Sequence, residues 1–267
     1  MSLAPVDLGT YLAQPSALEP HLRFLLGSIP APIIFEIGAC EGEDSIRYSR
    51  LFPAGRIFAF EPLPANQAII RANYAKYGAR AELVPVALSN RPGTAVFHVS
   101  AGRPPELFSG EDWNYGNKSS SLLPPAAAEP MHGWISFPED ITVNCETVDG
   151  FCGARGIARI DFIHLDVQGA EGLVLEGARA MLPRLRAIWL EVSNQELYRG
   201  QKLRGDIEAT MRGHGFVAAY GEDRGTEGDR LYVNRRFARN LAWLAGLRLR
   251  RLYSRLRSGL APVGSPP

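Results

Sequence analysis

A chain of 267 residues, 46% hydrophobic and 21% charged, can bury one sizeable core; no stretch is apolar enough to span a membrane, no secretory pattern opens it, and a cytoplasmic setting is expected. Its three cysteines, Cys40, Cys145 and Cys152, lack CxxC spacing, which excludes a disulfide framework and a zinc ribbon. Eight of the 29 basic residues are arginines in 231–267, where there is no acid, leaving 21 basic against 28 acidic residues (−7) in 1–230; a mildly acidic body argues against a nucleic-acid binder.

In chain order, residues 33–37 read as a strand, 44–51 as a helix, 56–60 as a second strand and 65–77 as a helix with Pro64 in its first turn. A third strand over 82–86 runs into Ala87-Leu88-Ser89-Asn90, a turn follows to Gly93, and 94–99 reads as an additional strand. Residues 101–140 break the alternation. They are rich in Gly, Pro and Ser, carry Trp113, Tyr115, Trp134 and Phe137, and read as a partly ordered lid or substrate-recognition insert. Strands resume at 141–143 and 161–166, followed by a helix over 172–182, a strand over 187–192 and a helix over 195–214. Residues 216–220 and 231–233 form the last strand pair, joined by 221–230. The division expected is a helical lead-in (1–32), an α/β domain (33–234) with the insert, and a basic tail (235–267). Strands alternating with helices predict a mostly parallel sheet with helices on both faces.

Gly38-x-x-x-Gly42 joins the first strand to its helix, and Glu61 ends the second strand. Such a βαβ unit holds a nucleoside at the carboxyl ends of its strands, with the acid accepting hydrogen bonds from ribose hydroxyls. The dinucleotide fingerprint needs a glycine where Cys40 stands and a third glycine that is missing. Glu41, Glu43 and Asp44 crowd the helix start and would repel a pyrophosphate there. S-adenosylmethionine has no phosphate, and its sulfonium and amino groups are cationic, so the local electrostatics favour it over NAD. An NAD(P)-dependent oxidoreductase or epimerase, and an inactive S-adenosylmethionine- or glycan-binding module, are the alternatives.

Four segments then occur in order: Phe35-Glu36-Ile37-Gly38-Ala39-Cys40-Glu41-Gly42, Phe58-Ala59-Phe60-Glu61-Pro62, Val86-Ala87-Leu88-Ser89-Asn90 with Gly93, and Ile163-His164-Leu165-Asp166-Val167-Gln168-Gly169-Ala170-Glu171. Together they resemble the successive motifs of the FkbM family of S-adenosylmethionine-dependent methyltransferases over roughly residues 33–195. The resemblance implies a class I methyltransferase (Rossmann-like) fold with a seven-stranded, mostly parallel sheet. It also implies methyl transfer to a hydroxyl, typically of a sugar, another secondary metabolite or a polyketide-like acceptor. Carried over, Glu36 and Gly38 meet the methionine end of the cofactor, Glu61 the ribose, and Ala87 and Leu88 the adenine, with Gly42 also in the cofactor turn. Cys40 departs from the asparagine common in the family.

Asp166 ends the fourth strand, where it can bind the cofactor amino group or the acceptor hydroxyl, or take the acceptor proton. Glu171 ranks second as the base, with His164 and Glu191 behind it. A divalent metal on His164, Asp166 and Glu171 matches no ligand motif, and no metal is expected. Ser119 and Ser120, with Ser121 beside them, and Trp113 in the insert are expected on the acceptor side together with Glu191; the insert's aromatic rings either stack on sugar faces or order the loop. Tyr198-x-x-x-Lys202 matches a dehydrogenase dyad but lacks its context. The arginine-rich tail from Phe237 reads as an amphipathic helix for an anionic membrane surface, a second subunit or the body itself.

Overall fold

The computed structural model describes residues 7–103, 116–126, 133–238 and 240–246. Trp113, Tyr115 and the tail beyond residue 246 lie outside the described residues. Helices α1 (Leu8–Ala13) and α2 (Glu19–Leu26) precede β1 (Ile33–Ile37), α3 (Glu43–Leu51), β2 (Arg56–Phe60), α4 (Pro64–Tyr77) and β3 (Ala81–Val84). Next come β4 (Ala87–Leu88), β5 (Gly93–Ala101), β6 (Ser136–Glu146), α5 (Val148–Ala154), β7 (Ile160–Leu165) and α6 (Glu171–Glu176). The described elements close with β8 (Leu185–Ser193), α7 (Arg204–Gly213), β9 (Phe216–Arg224), β10 (Glu227–Asn234) and a helical turn over 240–246.

The main sheet has seven strands in the order β3-β2-β1-β7-β8-β10-β9. Pairings from β3 through β8 are parallel, and β10 runs antiparallel to both β8 and β9. The chain winds outward from β1 to β3 and returns to place β7 on the other side of β1. That reversal opens a crevice at the carboxyl ends of β1 and β7.

Strand side chains alternate between two cores, as a period of two requires. Phe35, Phe58, Phe60, Ile163 and Leu165 face α5, α6 and α7 through Phe151, Val174 and Ile207. Ile34, Ile57, Phe162 and Trp189 face α2 and α3 through Leu22, Leu25 and Tyr48. Phe35 sits edge-on to Phe58 at 5.4 Å and to Phe151 at 5.6 Å, joining the first two strands to α5.

Three expectations need correction. The strand read at 141–143 belongs to β6, which pairs with β5 and β4 in a separate three-stranded sheet, so the insert hangs from a long hairpin. The helix expected over 195–214 begins only at Arg204. Before it, the Gln201 side chain accepts the N–H groups of Leu197 and Tyr198, the Arg199 N–H goes to Pro124, and Gly200 turns the chain at a φ of +83°. The helix expected over 172–182 ends at Glu176. The described start of the tail helix packs on the body, one of the alternatives expected for it: Trp243 is buried beside His21, and Asn240 donates to the carbonyls of Arg186 and Asn234. Among the described residues no helix is long and apolar enough to cross a membrane.

Candidate active site

The turn after β1 is shaped by close backbone approach. Gly38 has a φ of +87°, and a Cβ there would lie 1.7 Å from the carbonyl oxygen of Asp166. Gly42 caps α3 at a φ of +77°, where a Cβ would lie 2.8 Å from the Tyr74 ring. Both glycines are therefore required sterically. Between them Cys40 adopts a φ of +49°, a left-handed conformation that asparagine tolerates better than cysteine. The Cys40 N–H donates to Glu61 Oε2 at 2.8 Å, and the Leu63 N–H donates to Oε1 at 2.8 Å. Glu61 is thus fixed at the tip of β2, and burial pushes its pKa up to about 7 against those two bonds.

Two adjoining cavities open over these tips, sharing Ile37, Gly38, Cys40, Lys118 and Asp166 in their walls. The first, of about 520 Å³, is walled by Phe60, Glu61, Val86, Ala87, Leu88 and Phe97, an apolar slot with one acid at its edge. The second, of about 430 Å³, is walled by Glu36, Glu43, Asp44 and His164. Glu36 accepts the Ser45 N–H at 3.0 Å, capping α3. Burial, then the charges of Asp44 and Glu43, hold its carboxyl well above the usual carboxylate range. His164 is engaged from Nδ1 by the Tyr48 hydroxyl at 2.8 Å, with Asp44 at 3.5 Å.

At the tip of β7, Asp166 lines both cavities and its N–H donates to the Ile37 carbonyl. Gln168, at a φ of +54°, donates from Nε2 to Asp166 Oδ1 at 2.7 Å and to Glu191 Oε2 at 3.3 Å. The Tyr198 hydroxyl donates to the carbonyl of Ser119 at 2.8 Å and lies 3.3 Å from Gln168 Oε1. Burial, then the charge of Asp166, raises the Glu191 pKa well above its ordinary value. Glu171, expected as the second-ranked base, lines neither cavity. Its buried Oε1 accepts the N–H groups of Val167 at 3.1 Å and Gly169 at 3.3 Å, so it braces the loop that carries Asp166 and Gln168. Burial pushes its pKa up to about 7.

The insert returns to this floor through a 3₁₀ turn, Gly116–Ser119. Asn117 donates to Asn66 at 3.0 Å and to Glu41 at 3.3 Å, and Lys118 donates to Glu43 at 2.8 Å. Of the serines, Ser120 lines the first cavity. Ser119 is buried with its N–H on Ser100, and the Ser121 hydroxyl donates to the Gln168 carbonyl at 2.7 Å, so these two pin the insert down. The structure thus brings Glu36, Gly38, Glu61, Ala87, Leu88, Ser120 and Asp166 to the cavity walls, with Glu191 behind Gln168. Asn117, Lys118 and the Gln168 side chain, which the sequence reading did not assign to the site, and Tyr198, which it set aside as a dehydrogenase-like match, also meet at this floor. The Asn-Lys pair immediately before the serine cluster was the available signal. Among the described residues no three His, Cys, Asp or Glu side chains converge as metal ligands.

The donor set suits S-adenosylmethionine: an apolar slot for a base, a buried acid for a ribose, and carboxylates where a dinucleotide would bring phosphate. A family model described as the methyltransferase FkbM domain matches residues 36–218. The chain belongs to the FkbM methyltransferase family. It is a S-adenosylmethionine-dependent O-methyltransferase with the class I fold, and the nicotinamide alternative is set aside. It is 34% identical to the 2-O-methyltransferase NoeI of Sinorhizobium fredii, over 82% of this chain and 86% of that one. It is 27% identical to the 31-O-demethyl-FK506 methyltransferase FkbM of Streptomyces tacrolimicus, over 76% of this chain and 79% of that one. A solved precorrin-6y C5,15-methyltransferase from Geobacter metallireducens aligns over 86% of this chain and 92% of its own at a TM-score of 0.43 and 17% identity.

Proposed function

We propose that this FkbM-family chain methylates a hydroxyl of a polyhydroxylated small molecule, a carbohydrate or glycosylated metabolite, with Asp166 as the proton acceptor. The acceptor is a hydroxylated small molecule in keeping with the names of both relatives, and the one more similar in sequence is a 2-O-methyltransferase. The observation that carries the reading is the convergence of Asp166, Gln168 and Glu191 at the tips of β7 and β8, beside the carboxylate-walled cavity. A rim of linked carboxyl and amide groups selects for several hydroxyls, since an acceptor lacking them would leave those groups unpaired.

When bound, S-adenosylmethionine supplies a methyl group on a sulfonium leaving group. The residues that hold it are Glu61 at the ribose, Ala87 and Leu88 at the adenine, and Gly38 with Glu36 at the methionine end. Asp166 Oδ1 accepts from Gln168, and the Asp166 carboxylate receives the hydroxyl proton as the new carbon–oxygen bond forms and the carbon–sulfur bond breaks. Glu191, held toward its neutral form, accepts from Gln168 and backs the amide that holds Asp166. Glu171 keeps the loop in place for both.

Methyl transfer to a panel of glycosides and macrocyclic alcohols, with Asp166→Asn as the control, tests the proposal. A glycoside that is methylated by the native chain, and at least about 100-fold more slowly by Asp166→Asn at saturating S-adenosylmethionine, is the expected result. Full turnover in Asp166→Asn would remove Asp166 from the role.

A further inference from the structure

The carboxylate-walled cavity poses an electrostatic problem. An S-adenosylmethionine amino-acid group brings an α-ammonium and an α-carboxylate together. Glu43, Asp44 and Asp166 favour the ammonium and oppose the carboxylate. Among the described residues lining the two cavities, Lys118 carries the only fixed positive charge, and it lines both. It comes from the insert rather than from the βαβ core that holds the other cofactor residues.

Several contacts aim the Lys118 ammonium at this junction. It donates to Glu43 Oε1 at 2.8 Å and lies 3.7 Å from Cys40 Sγ, above the glycine turn. Asn117 next to it is tied to Asn66 and Glu41, and Ser119 and Ser121 are tied to Ser100 and Gln168. Burial pulls its pKa down, but Glu43 and the neighbouring acids outweigh this and hold it above the ordinary lysine value, so the charge is permanent.

We infer that Lys118 is the counter-charge for the cofactor's α-carboxylate, so that the insert completes the methionine subsite as well as bordering the acceptor. This rests on the placement of the cofactor's methionine end at Glu36 and Gly38. One consequence is coupling. A segment pinned to the turn through Asn117 and Lys118 holds the cofactor and, two residues later, presents Ser120 to the same opening.

Two ligands that differ by the carboxylate alone test this: S-adenosylhomocysteine and its decarboxylated analogue, 5′-S-(3-aminopropyl)-5′-thioadenosine. Calorimetric titration of the full chain is expected to show the analogue binding roughly tenfold to hundredfold more weakly, the range for hydrogen bonds to charged groups. Lys118→Met is expected to lose a similar factor for S-adenosylhomocysteine and less than about twofold for the analogue, and Lys118→Arg to retain most of the difference. Equal loss for both ligands would mean that Lys118 only pins the insert. A preference for S-adenosylhomocysteine that survives in Lys118→Met would place the carboxylate on other groups, such as the N–H groups at the start of α3. Either result overturns the inference. Should Lys118→Met fail to fold, Lys118→Gln replaces it, and equal affinity of the native chain for both ligands overturns the inference with no variant at all. Failure of the native chain to bind S-adenosylhomocysteine would instead sink the cofactor placement on which the inference rests.

Discussion

The side-chain amide of Gln168 holds Asp166 Oδ1 at 2.7 Å from a backbone in the left-handed region, at a φ of +54°. A non-glycine residue in that conformation costs about 1 kcal/mol or more, so the surrounding contacts must enforce it. Those contacts are the Ser121 hydroxyl on the Gln168 carbonyl and the Tyr198 hydroxyl near Oε1. The arrangement makes Gln168 a positioning residue for Asp166 and Glu191.

Gln168→Ala is expected to lower kcat about tenfold to hundredfold while S-adenosylhomocysteine affinity stays within about twofold, because a group acting on the proton acceptor contributes to the transition state. Gln168→Glu, which cannot donate and adds a third carboxylate, is expected to be at least as slow. Steady-state kinetics beside calorimetric titration check both. Unchanged kcat in Gln168→Ala would leave the amide without a role in turnover.

Stability of the ligand-free chain is expected to fall as pH rises from 6.5 to 8. The buried Glu61 and Glu171 have folded-state pKa values of about 7 against the ordinary 4.5. In this window the folded state binds more protons than the unfolded state, so the unfolding free energy decreases with pH. Glu36 and Glu191, also raised, act in the same direction. A drop in Tm of a few degrees between pH 6.5 and 8, reduced in Glu171→Gln, is the expected thermal-melting result. A Tm that rises over the same interval would contradict the assignment of these shifts.

Gly38→Ala is expected to cost more than about 2 kcal/mol, the left-handed penalty plus displacement of the β7 loop. Its Cβ would meet the backbone of Asp166 rather than a side chain able to turn away. Chemical denaturation measures the loss, and a change under about 0.5 kcal/mol would show that the two turns are not in contact.

The central strands were legible because each is a short apolar run ending in a turn or an acid, and the sheet order follows from the winding rules for βαβ units. Glu61, Gly38 and Asp166 could be placed for the same reason: each sits at a strand tip, and in a parallel sheet those tips share one edge. Tyr198 was set aside as a chance dehydrogenase match and read inside a helix, whereas the Gln201 side chain and a bridge between Pro125 and Tyr198 hold the segment irregular. Lys118 and Asn117 were illegible because the pairing of β5 with β6, remote in sequence, returns the insert to the glycine turn. The orientation of Glu171 was illegible because its spacing from Asp166 says nothing of which way a buried carboxylate turns; in the structure its Oε1 accepts two backbone N–H groups.

The central claim is that the acid at the tip of β2 anchors the ribose of S-adenosylmethionine. Calorimetric titration of S-adenosylhomocysteine into the native chain and Glu61→Gln, at pH 6 and pH 8 with NAD in parallel, tests it most directly. Ribose hydroxyls donate to the ionised carboxylate, and with a pKa of about 7 that form is the minor one at pH 6 and dominates at pH 8. The native chain should therefore bind S-adenosylhomocysteine about tenfold more tightly at pH 8 than at pH 6. Glu61→Gln should bind weakly at both pH values with that difference abolished, and NAD should not bind. Undiminished affinity in Glu61→Gln, or binding of NAD in preference to S-adenosylhomocysteine, would contradict the claim.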